Sequence, residues 1–156
     1  MSDKSRLLPI IGFDPGISGA YAVLGHDGEL TDDFPVMNGE IHAPELARIV
    51  RLHRPRFAVV EHVHSMPKQG VASTFKFGRA DGVLYGVLAA LEVPTIKVGS
   101  HQWKRFFHLT GKPKDASRAL AIKLYPSIAN LNFKKHHGRA DALLLARYLY
   151  ETERFT

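Results

Sequence analysis

Short apolar runs separated by turn residues predict a series of β-strands. The first run covers residues 8–13, is rich in β-branched residues, and is closed by the turn sequence Asp14-Pro15-Gly16. The second run covers residues 19–24 and leads through His26-Asp27-Gly28, a hairpin turn, into a third strand around residues 29–36. Two later apolar runs, residues 56–63 and 93–98, predict two more buried strands.

Between and after these runs the apolar residues recur at helical spacing. This spacing predicts helices over residues 44–52, 71–91, 113–124 and 138–149, and a further helix with Ser100 as its N-cap. The order β-β-β-α-β-α-β-α-α-α predicts an α/β protein, with one mixed five-stranded sheet flanked by helices on both faces.

Length and composition limit the class of protein. The 156 residues suffice for one domain with a hydrophobic core, and we expect a single domain over residues 1–156 with a disordered tail at 1–7. No apolar run approaches the ~20 residues of a membrane span, and no signal-peptide pattern is visible. Because the chain has no cysteine, it has neither disulfides nor thiolate metal ligands. These features predict a cytoplasmic protein.

The charge balance indicates a polyanionic partner. Lys and Arg number 21 and Asp and Glu number 15, which gives a net charge of +6. Nucleic acid is favoured over a membrane surface, because the chain lacks an amphipathic basic helix.

Three acidic residues interrupt otherwise apolar elements. Asp14 ends the first strand, Glu61 ends the fourth, and Asp141 lies among apolar residues of the last helix. Each acid alone has a simple structural explanation: a turn cap for Asp14, a solvated strand end for Glu61, and a favourable position near a helix N-terminus for Asp141. Together they predict a shared cation, because buried carboxylates are costly unless paired or bound to metal.

Oxygen ligands select hard cations such as Mg²⁺ or Mn²⁺. Two such ions ~3.5–4 Å apart catalyse phosphodiester displacement in many nucleases. His137 lies four residues before Asp141, so it shares a helix face with that acid. It is either a metal ligand or water-orienting group, or part of a basic DNA-facing loop that follows Lys134 and Lys135.

Four segments carry a resemblance to a known family. They are residues 11–19 (IGFDPGISG), 59–63 (VVEHV), 77–82 (FGRADG) and 139–143 (RADAL). In this order they resemble the RuvC-type Holliday junction resolvases, most closely the shorter phage-borne or organelle-type members. The resemblance extends from about residue 8 to residue 150.

The resemblance implies an RNase H-like fold, a homodimer, and Mg²⁺-dependent paired nicking of four-way DNA junctions. By motif, Asp14, Glu61 and Asp141 fall on the catalytic carboxylates that bind two Mg²⁺ ions, with Mn²⁺ able to substitute. Lys104 and either Lys112 or Lys114 fall where the family has DNA-contacting lysines.

The chain departs from the family pattern at two positions. Bacterial members usually carry Asp or His three residues before the last carboxylate, where this chain has Gly138, and His137 is the candidate replacement. The family often places an aromatic wedge three residues after the strand-end Glu, where this chain has His64. His64 is therefore a candidate for stacking on a DNA base, with relaxed junction specificity as a consequence.

Three glycines recur every four residues in the helix predicted over 71–91: Gly78, Gly82 and Gly86. They indicate close approach of another backbone. That backbone belongs either to a second copy of the chain or to the sheet of the same chain.

The sequence therefore predicts a dimeric metal-dependent endonuclease that resolves four-way junctions by symmetric nicks leaving 5′-phosphates. The catalytic set is Asp14, Glu61, His137 and Asp141, and the DNA-binding set is His64, Lys104, Lys112 and Lys114. Three alternatives remain: a broader branched-DNA debranching nuclease, a ribonuclease H, and a non-catalytic junction-binding protein.

Overall fold

A five-stranded mixed sheet forms the centre of the protein. The computed structural model describes residues 3–63 and 67–153. Its strands are β1 (Ile10–Asp14), β2 (Ala20–Leu24), β3 (Glu29–Asp33), β4 (Val36–Met37), β5 (Glu40–Ile41), β6 (Phe57–His62) and β7 (Thr95–Gly99). The main sheet has the order β3-β2-β1-β6-β7. β1 runs antiparallel to β2 and parallel to β6, which is parallel to β7.

Helices cover both faces of this sheet. They are α1 (Ala43–His53), α2 (Val71–Ala90), α3 (Ser100–Phe106), α4 (Ala116–Leu124) and α5 (His137–Thr152). α5 packs along β1 and β2, with α3 and α4 beside it, while α1 and α2 lie on the opposite face. The predicted five-stranded mixed sheet with helices on both faces is confirmed. None of the described helices is long and apolar enough to span a membrane.

Strand alternation divides the apolar residues into two cores. Ile10 and Val59 point to the face covered by α5, and their cluster is called the α5-side core. Ile11, Phe13 and Val60 point to the other face, where they form the α2-side core with residues of α1 and α2. Since side chains alternate along a strand, residues two positions apart enter the same core. This alternation determines the face on which a strand-end side chain lies.

The structure corrects three predicted details. The strand predicted around residues 29–36 ends at Asp33, and a small β4–β5 hairpin follows. Gly99 rather than Ser100 is the N-cap of α3, because the Gly99 N–H donates to Gln102 Oε1 at 2.7 Å. Residues 4–7 form a 3₁₀ helix rather than a disordered tail, because Leu7 is buried and Lys4 Nζ contacts Glu151 Oε2 at 3.4 Å.

The glycines of α2 face away from the sheet. The buried face of α2 consists of Ala80, Leu84 and Leu88. A Cβ built on any of the glycines at positions 78, 82 and 86 would meet no described atom within 4 Å apart from the neighbouring backbone of α2 itself. The explanation that these glycines allow close packing on the sheet of the same chain is therefore wrong.

Gly12 marks a close contact between the sheet and α5. A Cβ built on Gly12 would lie 2.4 Å from the Ala142 carbonyl oxygen and 3.0 Å from the Ala146 nitrogen. Both obstacles are backbone atoms of α5, so neither can move aside without shifting the helix. The absence of a side chain at Gly12 therefore allows α5 to lie directly on β1.

We predict that Gly12→Ala destabilises the fold by about 1–3 kcal/mol, because the added methyl group overpacks the β1–α5 contact. The free energy of unfolding, measured by urea denaturation, tests this. Gly70→Ala is the control, since it adds a methyl group where no described atom beyond its chain neighbours lies within 4 Å, and it should change stability by less than about 1 kcal/mol. Equal stability of Gly12→Ala and wild type would show that α5 does not pack this closely.

Candidate active site

Two of the predicted acids lie at the C-terminal ends of neighbouring parallel strands. Phe13 pairs with Val60 in the β1–β6 register, so Asp14 and Glu61 follow at the next position of each strand. Adjacent strands are about 5 Å apart. Both acids point to the same face as Val59, which belongs to the α5-side core. The strand register thus brings Asp14 and Glu61 together beneath α5.

The third acid reaches this place from α5. Asp141 lies one residue before Ala142, whose carbonyl contacts the backbone of β1 at Gly12. One turn earlier on the helix, a Cβ built on Gly138 would lie 3.1 Å from Asp14 Oδ2. The first two turns of α5 therefore lie beside the carboxyl group of Asp14.

Burial and mutual repulsion raise the pKa of two of these acids. Burial raises the pKa of Asp14 well above its usual range, and the carboxylates of Asp141 and Glu61 raise it further. Burial, together with the charge of Glu61, raises the pKa of Asp141 to about 7, although a hydrogen bond from Ser117 partly opposes the shift. The three acids therefore form one electrostatically coupled cluster.

Two of the three predicted lysines act on this cluster. The positive charges of Lys104, on α3, and Lys114, which precedes α4, both lower the pKa values of Asp14 and Asp141. Lys112 is exposed, and it is not among the principal charges that shift these pKa values in the described part of the chain. Lys104 and Lys114 thus lie close enough to the three acids to act on them electrostatically, although Lys114, like Lys112, is exposed.

His137 is the first residue of α5 and is half-buried. Burial lowers its pKa, and the positive charge of Lys114 lowers it further. The imidazole is therefore disposed to be neutral near pH 7. His137 lies one helical turn before Asp141, as predicted, but the charge that adds to the effect of burial on its pKa is that of Lys114 and not that of a carboxylate. Its role as a ligand or water-orienting group remains a prediction.

His64 lies outside the described residues, so its predicted contact with a DNA base also remains a prediction.

Trp103 is a site residue that the sequence pattern did not reveal. Its helical spacing with Phe106 and Phe107 predicts a core residue, and its side chain is indeed fully buried. Its indole N–H also donates to Glu61 Oε2 at 2.9 Å. The sequence signal for this contact is weak: an indole needs a hydrogen-bond acceptor when buried, but the pattern does not identify the acceptor.

The donor chemistry fits a hard divalent cation. Within residues 3–63 and 67–153, no three His, Asp or Glu side chains form a ready-assembled metal site. However, the three acids supply oxygen donors only, which Mg²⁺ and Mn²⁺ prefer. Oδ1 of Asp141 is buried and has no hydrogen-bond partner among the described residues. A cation would satisfy this oxygen and relieve the repulsion within the cluster.

Curated relatives match part of the chain, although no protein-family model does. The crossover junction endodeoxyribonuclease RuvC of Nitratidesulfovibrio vulgaris (strain Hildenborough) is 37% identical over 100 residues, covering 56% of this chain and 58% of that protein. The chloroplastic Holliday junction resolvase MOC1 of Chlamydomonas reinhardtii is 32% identical over 134 residues, covering 85% of this chain and 14% of that protein. The chain thus spans little more than half of the bacterial relative and a small part of the algal one.

Solved structures share the fold over most of the chain. Thermus thermophilus RuvC in complex with a Holliday junction substrate matches with a TM-score of 0.65 and 17% identity, covering 88% of this chain and 89% of that one. The yeast mitochondrial Holliday junction resolvase Ydc2 matches with a TM-score of 0.59 and 14% identity, covering 92% and 79%. The RNase H-like α/β fold is confirmed, as is the resemblance to RuvC-type Holliday junction resolvases.

We predict that Asp141→Asn stabilises the metal-free protein at pH 8 but not at pH 4. The raised pKa of Asp141 means that folding favours its protonated form, so this stability is lost as pH rises from about 4 through 7. Asparagine carries no negative charge at any pH. At pH 8 the free energy of unfolding should therefore increase by up to about 4 kcal/mol.

Urea denaturation in EDTA at several pH values measures this effect. Asp27→Asn, in an exposed turn, is the control and should follow the wild-type pH dependence. Parallel pH dependences of wild type and Asp141→Asn would contradict a buried, charged Asp141.

Proposed function

We propose that this chain, which resembles the RuvC-type Holliday junction resolvases in sequence and fold, is a metal-dependent endonuclease that resolves four-way DNA junctions. The observation that carries the proposal is the convergence of Asp14, Glu61 and Asp141 beneath α5, with Lys104 and Lys114 beside them. Acids alone would repel DNA, and lysines alone would bind it without cutting it. Their combination supports cleavage of a phosphodiester.

The side chains of the cluster have separate tasks in this mechanism. Asp14, Glu61 and Asp141 would hold Mg²⁺ or Mn²⁺, with two ions in the full site. When bound, two such ions supply an activated water and stabilise the leaving 3′ oxygen. Lys104 and Lys114 attract the phosphate and neutralise its charge. Their contribution makes DNA binding weaken as the salt concentration rises.

The products would be nicks with 5′-phosphate ends, because the 3′ oxygen is the leaving group. Such nicks can be resealed by a ligase. Lys112 and His64 are further candidate DNA contacts. A four-way junction has two equivalent strands to cut, so paired nicking requires two active sites related by two-fold symmetry.

The exposed face of α2 supports a homodimer that would supply this symmetry. Val71 and Phe75 are 89% and 67% exposed. With Gly78, Gly82 and Gly86 they recur at intervals of three or four residues, so all five share one side of the helix. We call them the α2 stripe. An apolar face that is open at three glycines suits the close approach of a second helix.

An antiparallel pairing fits this stripe. If two copies of α2 cross at Gly82, Gly78 of one copy faces Gly86 of the other. Phe75 then faces Ala89, which is exposed and small. A large side chain thus meets a small one at both ends of the contact, as a symmetric interface requires.

We predict that Gly82→Leu converts the dimer into a monomer, because the added side chain separates the two helices at their crossing point. Light scattering coupled to size-exclusion chromatography measures the mass. Ser73→Leu is the control, since Ser73 is exposed on the opposite side of α2 and should leave the dimer intact. A dimeric Gly82→Leu protein would exclude the α2 stripe as the interface.

We predict that the protein cuts an immobile four-way junction symmetrically in Mg²⁺ and not in EDTA. It should cut a 3′ flap, a linear duplex and an RNA–DNA hybrid far less, and a ligase should reseal the nicks. Asp14→Asn should abolish cutting while binding is kept or tightened, because it removes a metal ligand and a negative charge that repels phosphate. Nicking and gel-shift assays on the same preparations measure both properties.

Asp27→Asn, with the same change on an exposed turn, should cut like wild type. Equal cutting of flap and junction would indicate a debranching nuclease, and cutting of the hybrid alone would indicate a ribonuclease H. Binding without cutting in any metal, or full cutting by Asp14→Asn, would overturn the proposal.

A further inference from the structure

The contact between Trp103 and Glu61 links a buried residue of α3 directly to the carboxylate cluster. The indole N–H donates to Glu61 Oε2 at 2.9 Å. Trp103 has no exposed surface, and it is the only tryptophan of the chain. A hydrogen bond to a carboxylate from a fully buried donor is stronger than one at the surface, because water does not compete for the donor.

We propose that Trp103 is a positioning residue that fixes the Glu61 carboxylate and leaves Oε1 as the oxygen free to bind a divalent cation. This inference rests on the proposed function, in which Glu61 is a metal ligand. A free glutamate side chain rotates and can offer either or both oxygens to a metal. With Oε2 held by the indole, Glu61 presents one oxygen in one direction. Hydrogen bonds of this kind commonly orient the carboxylates that bind metals.

The local fold holds the indole in place. Glu61 pairs with Val98 in the β6–β7 register, and α3 begins two residues after Val98. The first turn of α3 is closed by the Gly99 N–H, which donates to the Gln102 side chain. The strand next to Glu61 therefore leads directly into the helix that returns the indole to it. The ring itself packs in the α5-side core.

The next residue extends the same arrangement. Lys104 Nζ lies 5.5 Å from the centre of the Trp103 ring, a cation–π distance. Its charge also lowers the pKa values of Asp14 and Asp141. α3 thus provides a neutral donor for Glu61 and a positive charge for the two aspartates. A shift of the indole would therefore change both the hydrogen bond to Glu61 and the position of the Lys104 charge.

The single indole N–H resonance in a ¹⁵N–¹H NMR spectrum tests the contact without metal. In EDTA, Glu61→Gln should move this resonance strongly, because the acceptor loses its charge. Glu45→Gln is the control: Glu45 is paired with Arg48 on the exposed surface of α1, so its change should leave the resonance unmoved. On Mg²⁺ titration the wild-type indole resonance should shift until the site is saturated. The indole resonance of Glu61→Gln should show no saturable shift.

An isosteric replacement tests the positioning role itself. Because the chain has one tryptophan, biosynthetic replacement by benzothienyl-alanine changes this site alone and substitutes sulfur for the N–H at almost the same volume. We expect Mg²⁺ affinity measured by calorimetry, and junction cleavage at limiting Mg²⁺, to fall about 10–100-fold. Junction binding in EDTA and the melting temperature should remain near wild type. Trp103→Phe keeps a ring without the N–H and should show the same loss of Mg²⁺ affinity.

The outcomes separate this inference from the proposed function. If the wild type binds Mg²⁺ and cuts junctions, but the benzothienyl protein does so equally well, the positioning role is overturned and the proposed function stands. If the wild type neither binds Mg²⁺ nor cuts, both fail. An indole resonance at the same position in Glu61→Gln as in wild type would overturn the contact itself.

Discussion

The direct packing of α5 on β1 is the contact on which the candidate site depends. Because Gly12 has no side chain, the backbone of Ala142 lies against the strand, where a Cβ would be 2.4 Å from its carbonyl oxygen. Asp141 precedes Ala142, and Asp14 lies two residues beyond Gly12. A helix held farther away by even one methyl group would carry Asp141 away from Asp14. The spacing of the acids is thus set by backbone contact rather than by side-chain packing.

This packing brings like charges together in a half-buried site. It therefore lowers the stability of the metal-free protein. The pKa of Asp141 rises to about 7 and that of Asp14 rises well above its usual range, so both acids resist ionisation. Lys104 and Lys114 offset only part of the repulsion. An arrangement that lowers stability in this way is typical of functional sites, where binding of a ligand to the folded state raises the stability again.

The sequence predicted what depends on local pattern and missed what depends on tertiary contact. Short apolar runs closed by turn residues predicted the main sheet, and acids that interrupt apolar elements predicted the cluster. The β4–β5 hairpin was missed because two-residue strands show no burial pattern; Val36 and Met37 are both exposed. Trp103 was correctly predicted as buried, but its bond to Glu61 depends on β7 pairing with β6 and on α3 turning back, which no local pattern encodes.

The charge balance of the cluster explains why a cation and DNA would bind together. Once all three acids are ionised, the state that a bound cation would favour, Asp14, Glu61 and Asp141 with Lys104 and Lys114 carry a net charge of −1. One bound divalent cation would change this to +1, a charge that would attract a phosphate. Gly138 adds no further acid, although a side chain there would meet Asp14 Oδ2. Under the proposed function, a fourth carboxylate at that position would bring the site with one bound cation to zero charge, whereas the glycine would leave that site positive toward a phosphate.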